Sequence, residues 1–100
     1  MREDLKIRVL ETAKIKARSL GYNLTSVAEE DLKSFIDNGI DRMTTSEYLS
    51  NSDNLRALNN VEILIERMYS DARSRSINES LDYKSFSNAR ASICPLWPFC

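Results

Sequence analysis

Apolar positions recur along this chain at three- and four-residue spacing, interrupted by a few glycines, serine–asparagine runs and prolines. That period predicts helices rather than strands. From about Glu3 to Leu20, a broad face carries Leu5, Val9, Leu10, Ala13, Ala17 and Leu20, with Lys6 and Lys16 intruding. Those two lysines would have to lay their stems along the core and carry their ammonium groups outward. Gly21 follows directly, the residue a helix favours just past its end because it accepts positive φ without strain. Ser26 to Glu29 reads as a capping box, in which a hydroxyl and a carboxylate satisfy two free N–H groups. The second helix then carries Ala28, Leu32, Phe35 and Ile36 and is expected to stop at Asn38-Gly39.

A second capping box, Thr44 to Glu47, with Met43 and Tyr48 as a hydrophobic staple, predicts a short third helix. Ser50 to Asn54 is a run of cap and turn residues that would end it. The fourth helix, from about Asn54 to Ser74, has the clearest pattern: Ala57, Leu58, Val61, Leu64, Ile65, Met68, Tyr69 and Ala72 share one arc. Only Leu55 and Ile63 fall outside it. A fifth segment from near Ser80 groups Tyr83, Phe86, Ala89 and Ile93, and Pro95 ends it.

The pattern therefore predicts an all-α fold, a small four- to five-helix bundle with an extended, apolar C-terminal tail. Residues 1–93 form the helical domain and residues 94–100 the tail. The expected core is Leu10, Ala13, Leu20, Leu32, Phe35, Ile36, Leu58, Val61, Ile65, Met68 and Phe86, with the fourth helix central. No internal repeat stands out, and none of the five segments is expected to form a sheet.

Composition narrows the chemistry. One hundred residues make one ordinary domain, with 42% hydrophobic and 29% charged residues and a net charge of −1. The absence of histidine removes His-based triads, His-ligated zinc and the Glu-x-x-His sites of di-metal bundles. A near-neutral chain offers no global attraction for nucleic acid or an acidic membrane. The start of the chain has no apolar run of a secretory signal, and no stretch reaches the length of a spanning helix, so the expected location is cytoplasmic.

Charge is distributed unevenly. Residues 1–20 hold six basic and three acidic groups, and residues 21–53 hold two basic and seven acidic groups. A basic first helix lying against the acidic second and third accounts for this.

Candidate chemical motifs dissolve on inspection. Ala17 to Gly21 followed by Val27 has helix-turn-helix spacing, but the second helix would present Glu29, Glu30, Asp31 and Asp37 to phosphates with Lys33 as the one opposing charge. Glu62 and Glu66 form a solvated acidic pair with Arg67 and Arg73 within helical reach. Asp37 to Asp41 lacks the twelve-residue spacing of a calcium loop. No catalytic residue, cofactor site or metal site is assigned, and the chain is read as non-enzymatic.

The tail is the exception. Cys94, Pro95, Leu96, Trp97, Pro98, Phe99 and Cys100 hold both prolines, both cysteines and the one tryptophan, with no charged or hydroxyl side chain. Such a segment is a candidate interaction site whose prolines favour a stiff, extended course. It can dock on its own domain, insert into a partner, or be the product part of a precursor. A capped helical leader before a short Cys-bounded segment resembles, in layout and in residues 93–100 only, the leader–core organisation of ribosomally made, enzymatically modified peptides. The segment holds no Ser or Thr from which thioether bridges on dehydrated residues could form. Docking on the same domain is the expectation, since an exposed stretch as apolar as residues 93–100 would aggregate. The cysteines could pair, remain thiols, or supply Cys₄ zinc only through a dimer.

The functional expectation is a protein–protein interaction or regulatory module that meets another protein, with a homodimer also permitted and no membrane partner. The alternative is a precursor of a modified peptide with its core in residues 93–100. Nucleic-acid binding ranks last, because it needs a stripe assembled from Arg2, Lys6, Lys14, Arg18, Arg67, Arg73, Arg75 and Arg90.

Overall fold

The computed structural model describes residues 2–43, 51–77 and 79–93. Of these, 84% are helical, in four helices. The order is α1 (Arg2–Ser19), β1 (Asn23–Leu24), α2 (Ser26–Met43), α3 (Asn51–Ser74), β2 (Ser80–Leu81) and α4 (Tyr83–Ile93). The expected short helix after Thr44 and the tail from Cys94 lie outside the described residues.

The first helix is held by a narrow stripe. Leu5, Val9, Ala13 and Ala17 are buried at four-residue intervals, and Leu10 and Leu20 only flank them. The small alanines let α1 lie close to α3, whose own face of Val61, Leu64, Ile65 and Met68 is fully buried. Helix α3 packs on both α1 and α4, which makes it the spine, and α2 packs on α1 and α4. Most of the expected core is buried, but Leu10, Leu20 and Leu58 sit at its edge.

Four boundaries depart from the sequence pattern. Helix α2 runs through Gly39 to Met43, because Ile40 continues the buried stripe of Leu32 and Ile36 and is itself fully enclosed. Burying that side chain outweighs the roughly 1 kcal/mol that an internal glycine costs a helix. Asn51 to Asn54 form the first turn of α3 rather than a loop, the place where short polar side chains favour a helix start. The cap of α2 is Thr25, one residue before the expected Ser26: its hydroxyl accepts from the Ala28 N–H at 3.2 Å, and its carbonyl takes the first helical bond from Glu29. Finally, Ser80–Leu81 is a strand, not the start of α4. It pairs in parallel with Asn23–Leu24, so the chain contains a small sheet that the pattern did not predict.

That ladder exposes an internal repeat. At the end of α1, Gly21 N–H donates to Arg18 and Tyr22 N–H to Ala17. At the end of α3, Ser76 N–H donates to Arg73 and Ile77 N–H to Ala72. Both helices thus close with the same two-bond cap built around a left-handed residue, Gly21 at φ 81° and Ser76 at φ 62°. Each closure leads into a two-residue strand, and each strand into a capping side chain, Thr25 before α2 and Asp82 before α4. Leu24 faces Leu81 across the ladder. Buried positions correspond as well: Val9 with Leu64, Ala13 with Met68, Ala17 with Ala72, Leu32 with Ala89 and Ile36 with Ile93. The repeat is invisible as residue identity because it resides in backbone closure and burial, which many residues satisfy.

Ser76 provides the test. A side chain in the left-handed region is strained where glycine is not, so Ser76→Gly should stabilise the fold by about 0.5–1 kcal/mol in urea unfolding. Gly21→Ala, at the equivalent position, should destabilise by at least as much.

Candidate functional site

A cavity of about 390 Å³ lies in an open groove between α2 and α4. Helix α2 contributes Asp31, Ser34, Phe35, Asn38, Gly39 and Arg42, and α4 contributes Tyr83, Phe86, Ser87 and Arg90. Ser34, Asn38 and Arg42 fall at four-residue steps, as do Tyr83 and Ser87, so each helix turns one continuous edge to the groove. The floor is aromatic. Phe35 and Phe86 meet edge to face, with centroids 5.8 Å apart and planes at 77°, a favoured arrangement of the two ring quadrupoles. The Arg90 guanidinium lies over the Phe35 ring at 5.4 Å, within cation–π range. Tyr83, expected on the buried face of its segment, is instead 53% exposed and stands at the groove mouth.

A polar knot fixes the end of α4. Asp82 accepts from the Ser85 N–H at 2.9 Å and from the Ser85 hydroxyl at 2.8 Å. Arg75, just past α3, donates to Asp82 at 3.0 Å, to the buried Ser85 hydroxyl at 2.7 Å and to Asp71 at 2.9 Å. Asn88 donates to the other Asp71 oxygen at 3.1 Å. Burial opposes ionisation of Asp82, but the Ser85 N–H, the Arg75 guanidinium and the Ser85 hydroxyl together outweigh it and hold its carboxyl at about 2. An acid this strong stays ionised and cannot accept a proton near neutral pH. The knot serves to position α4, and with it Tyr83, Phe86 and Arg90.

Several basic groups are engaged within the chain. Lys6 contacts Asp41 at 2.9 Å and Glu3 at 3.1 Å, and the ammonium is held above its ordinary pKa, first by the hydrogen bond to Asp41. Lys14 reaches Glu29 at 3.3 Å and Lys16 reaches Glu66 at 3.0 Å. The contacts to Asp41 and Glu29 match the basic first helix to the acidic second, whereas Lys16 pairs with Glu66 of α3, and the lysine side chains lie partly buried along the helix. Arg67 is bound to Ser92, and Arg73 donates to the Tyr69 hydroxyl while lying over its ring at 5.6 Å. Among the members of the stripe considered for nucleic acid, Lys6, Lys14, Arg67, Arg73, Arg75 and Arg90 thus each engage another residue of the domain.

The segment from Asp37 to Asp41 is helix, not an ion-binding loop. Among the described residues, no group of three or more potential ligands could hold a metal ion, and no helix is long and apolar enough to cross a membrane. The sequence-derived candidates Cys94, Pro95, Leu96, Trp97, Pro98, Phe99 and Cys100 lie outside the described residues. The groove was missed by sequence reasoning because its walls come from helices distant in the chain. The polar steps Ser34–Asn38–Arg42 beside Phe35 are the one signal that could have marked it.

No family model matches this chain, no curated protein resembles it, and no solved structure shares its fold at a significant level.

Asp82 sets a pH dependence of known sign. Its pKa is lowered on folding, so its contribution is complete above the unfolded value near 4 and is lost as the pH falls through about 2. Asp82→Ala should cost about 1 kcal/mol as a lost helix cap at pH 6. The gap from the parent chain in urea unfolding should narrow between pH 4 and pH 2. A gap that stays constant over that range would show that the carboxylate charge contributes nothing.

Proposed function

We propose that this chain is a non-enzymatic protein–protein interaction module whose α2–α4 groove receives an extended, uncharged peptide segment rich in proline and aromatic side chains. The observation that carries this reading is the groove itself: a half-exposed Tyr83 at the mouth, the largely buried Phe35 and Phe86 at the floor, and arginines from both walls. Proline-containing segments bind against exposed aromatic rings because little of their conformational freedom remains to be lost. Guanidinium faces add favourable contact with incoming aromatic rings. The volume falls in the range of about 300–1,000 Å³ typical of ligand clefts. Of the basic residues lining the groove, Arg90 already lies over the Phe35 ring, which favours an uncharged ligand over a polyanion.

A panel of fluorescent heptapeptides differing in charge and proline–aromatic content tests this directly. The uncharged proline–aromatic peptides should bind best, and Tyr83→Ala or Arg90→Ala should weaken them about tenfold, equivalent to roughly 1.4 kcal/mol. Equal binding of acidic peptides, or affinities indifferent to both substitutions, would sink the reading.

A second reading is favoured by one observation: the helical domain reaches its last described buried residue, Ile93, directly before the Cys-bounded segment. In this reading residues 2–93 are a handle for an enzyme that modifies residues 93–100. Peptide mapping by mass spectrometry of the chain isolated from its source cells should then show a mass change or a cut confined to that segment. A full-length, unaltered chain would remove it.

A further inference from the structure

We infer that the groove between α2 and α4 is the seat of this chain's own segment 94–100, with Trp97 laid against the exposed Tyr83 and Arg90, above the largely buried Phe35 and Phe86. This rests on the reading of the groove as a peptide site and names its resident occupant. Three observations meet here. The segment begins directly after Ile93, one helical turn beyond Arg90, which is itself a groove residue. Its tether is therefore as short as a tether can be, and the effective concentration of such a segment is on the order of millimolar before any contact is made.

Length fits next. Seven residues in an extended proline-type conformation span about 22 Å at about 3.1 Å each. Helix α4, with 11 residues, is about 16 Å long at about 1.5 Å per residue. The segment can thus turn back after Ile93 and run the whole wall from Arg90 to Tyr83 with a residue or two left for the turn. Chemistry fits last. The segment has no charged side chain, and its Trp97, Phe99 and Leu96 suit a groove whose exposed aromatic is Tyr83 and whose floor is the small accessible part of Phe35 and Phe86. The guanidinium of Arg90 already lies over the Phe35 ring at 5.4 Å, and a guanidinium can stack on a second ring as well.

The consequence for function is competition. A partner's proline–aromatic segment meets a groove already filled, and must displace an occupant of the same chemistry held at high local concentration. The module is then self-limiting: only a segment that outcompetes the tethered one is bound.

Trp97 is the one tryptophan in the chain, so its fluorescence reports this segment alone. In the full chain under reducing conditions, its emission should be blue-shifted and acrylamide quenching several-fold weaker than for a synthetic peptide of residues 94–100. Ser87→Arg fills the groove from an exposed position of α4. It should bring quenching up to that of the free peptide while the circular dichroism of the helices stays unchanged. Tyr83→Ala, at a half-exposed residue, gives a second, milder probe that should raise quenching part of the way. Parent-chain emission as red and as quenchable as that of the free peptide would overturn the inference. So would protection that survives Ser87→Arg, or protection that grows with protein concentration, which would point to a second copy as occupant. Heptapeptides bound in the groove while Trp97 stays exposed would sink this inference and leave the proposed function standing.

Discussion

The two-residue ladder between β1 and β2 is the constraint on which this fold depends. Thr25 N–H donates to the Leu81 carbonyl and Asn23 N–H to that of Glu79, tying together two loops that would otherwise separate. Tyr22 adds a third tie, donating its hydroxyl to the Ile77 carbonyl at 2.7 Å while its ring meets Tyr69 edge to face. A two-stranded pair this short has no stability of its own. It persists because the helix closures at Gly21 and Ser76 deliver both chains at the right place, and because Leu81 is buried beneath it. In return it sets where α2 and α4 begin, and so where the two walls of the groove stand.

Helices α2, α3 and α4 were legible in the sequence because their apolar period is strong, whereas α1 has only a narrow apolar stripe. The burial of Val61, Ile65 and Met68 in α3 follows from spacing alone, and Gly21 marks the end of α1 by its conformational freedom. The failures share a physical cause. Gly39 is a helix stop in isolation, and the enclosure of Ile40 overrides it. Ser80–Leu81 continues a helical pattern until the distant partner Asn23–Leu24 claims its backbone bonds. Local preference decides where nothing else competes, and tertiary burial decides elsewhere.

The candidate site was less legible for a related reason. Tyr83 lies on the same apparent arc as Phe86, yet Asp82 caps the helix just before it, and the resulting first turn leaves the tyrosine half in water. No single-helix argument contains that information. Arg90 reads as an ordinary surface charge until Phe35, from another helix, is brought beneath it. The apolar segment after Ile93, by contrast, stood out from composition alone.

The parallel ladder also determines how this domain can come apart. The cap of α2, Thr25, is itself a rung, and the cap of α4, Asp82, directly follows the rung at Leu81. The first turns of both helices therefore cannot fray one at a time: releasing Thr25 from Leu81 loosens the chain on either side of the same bond. Partial opening in this domain is a joint event of its two halves, and the smallest cooperative unit that contains one wall of the groove contains the other as well.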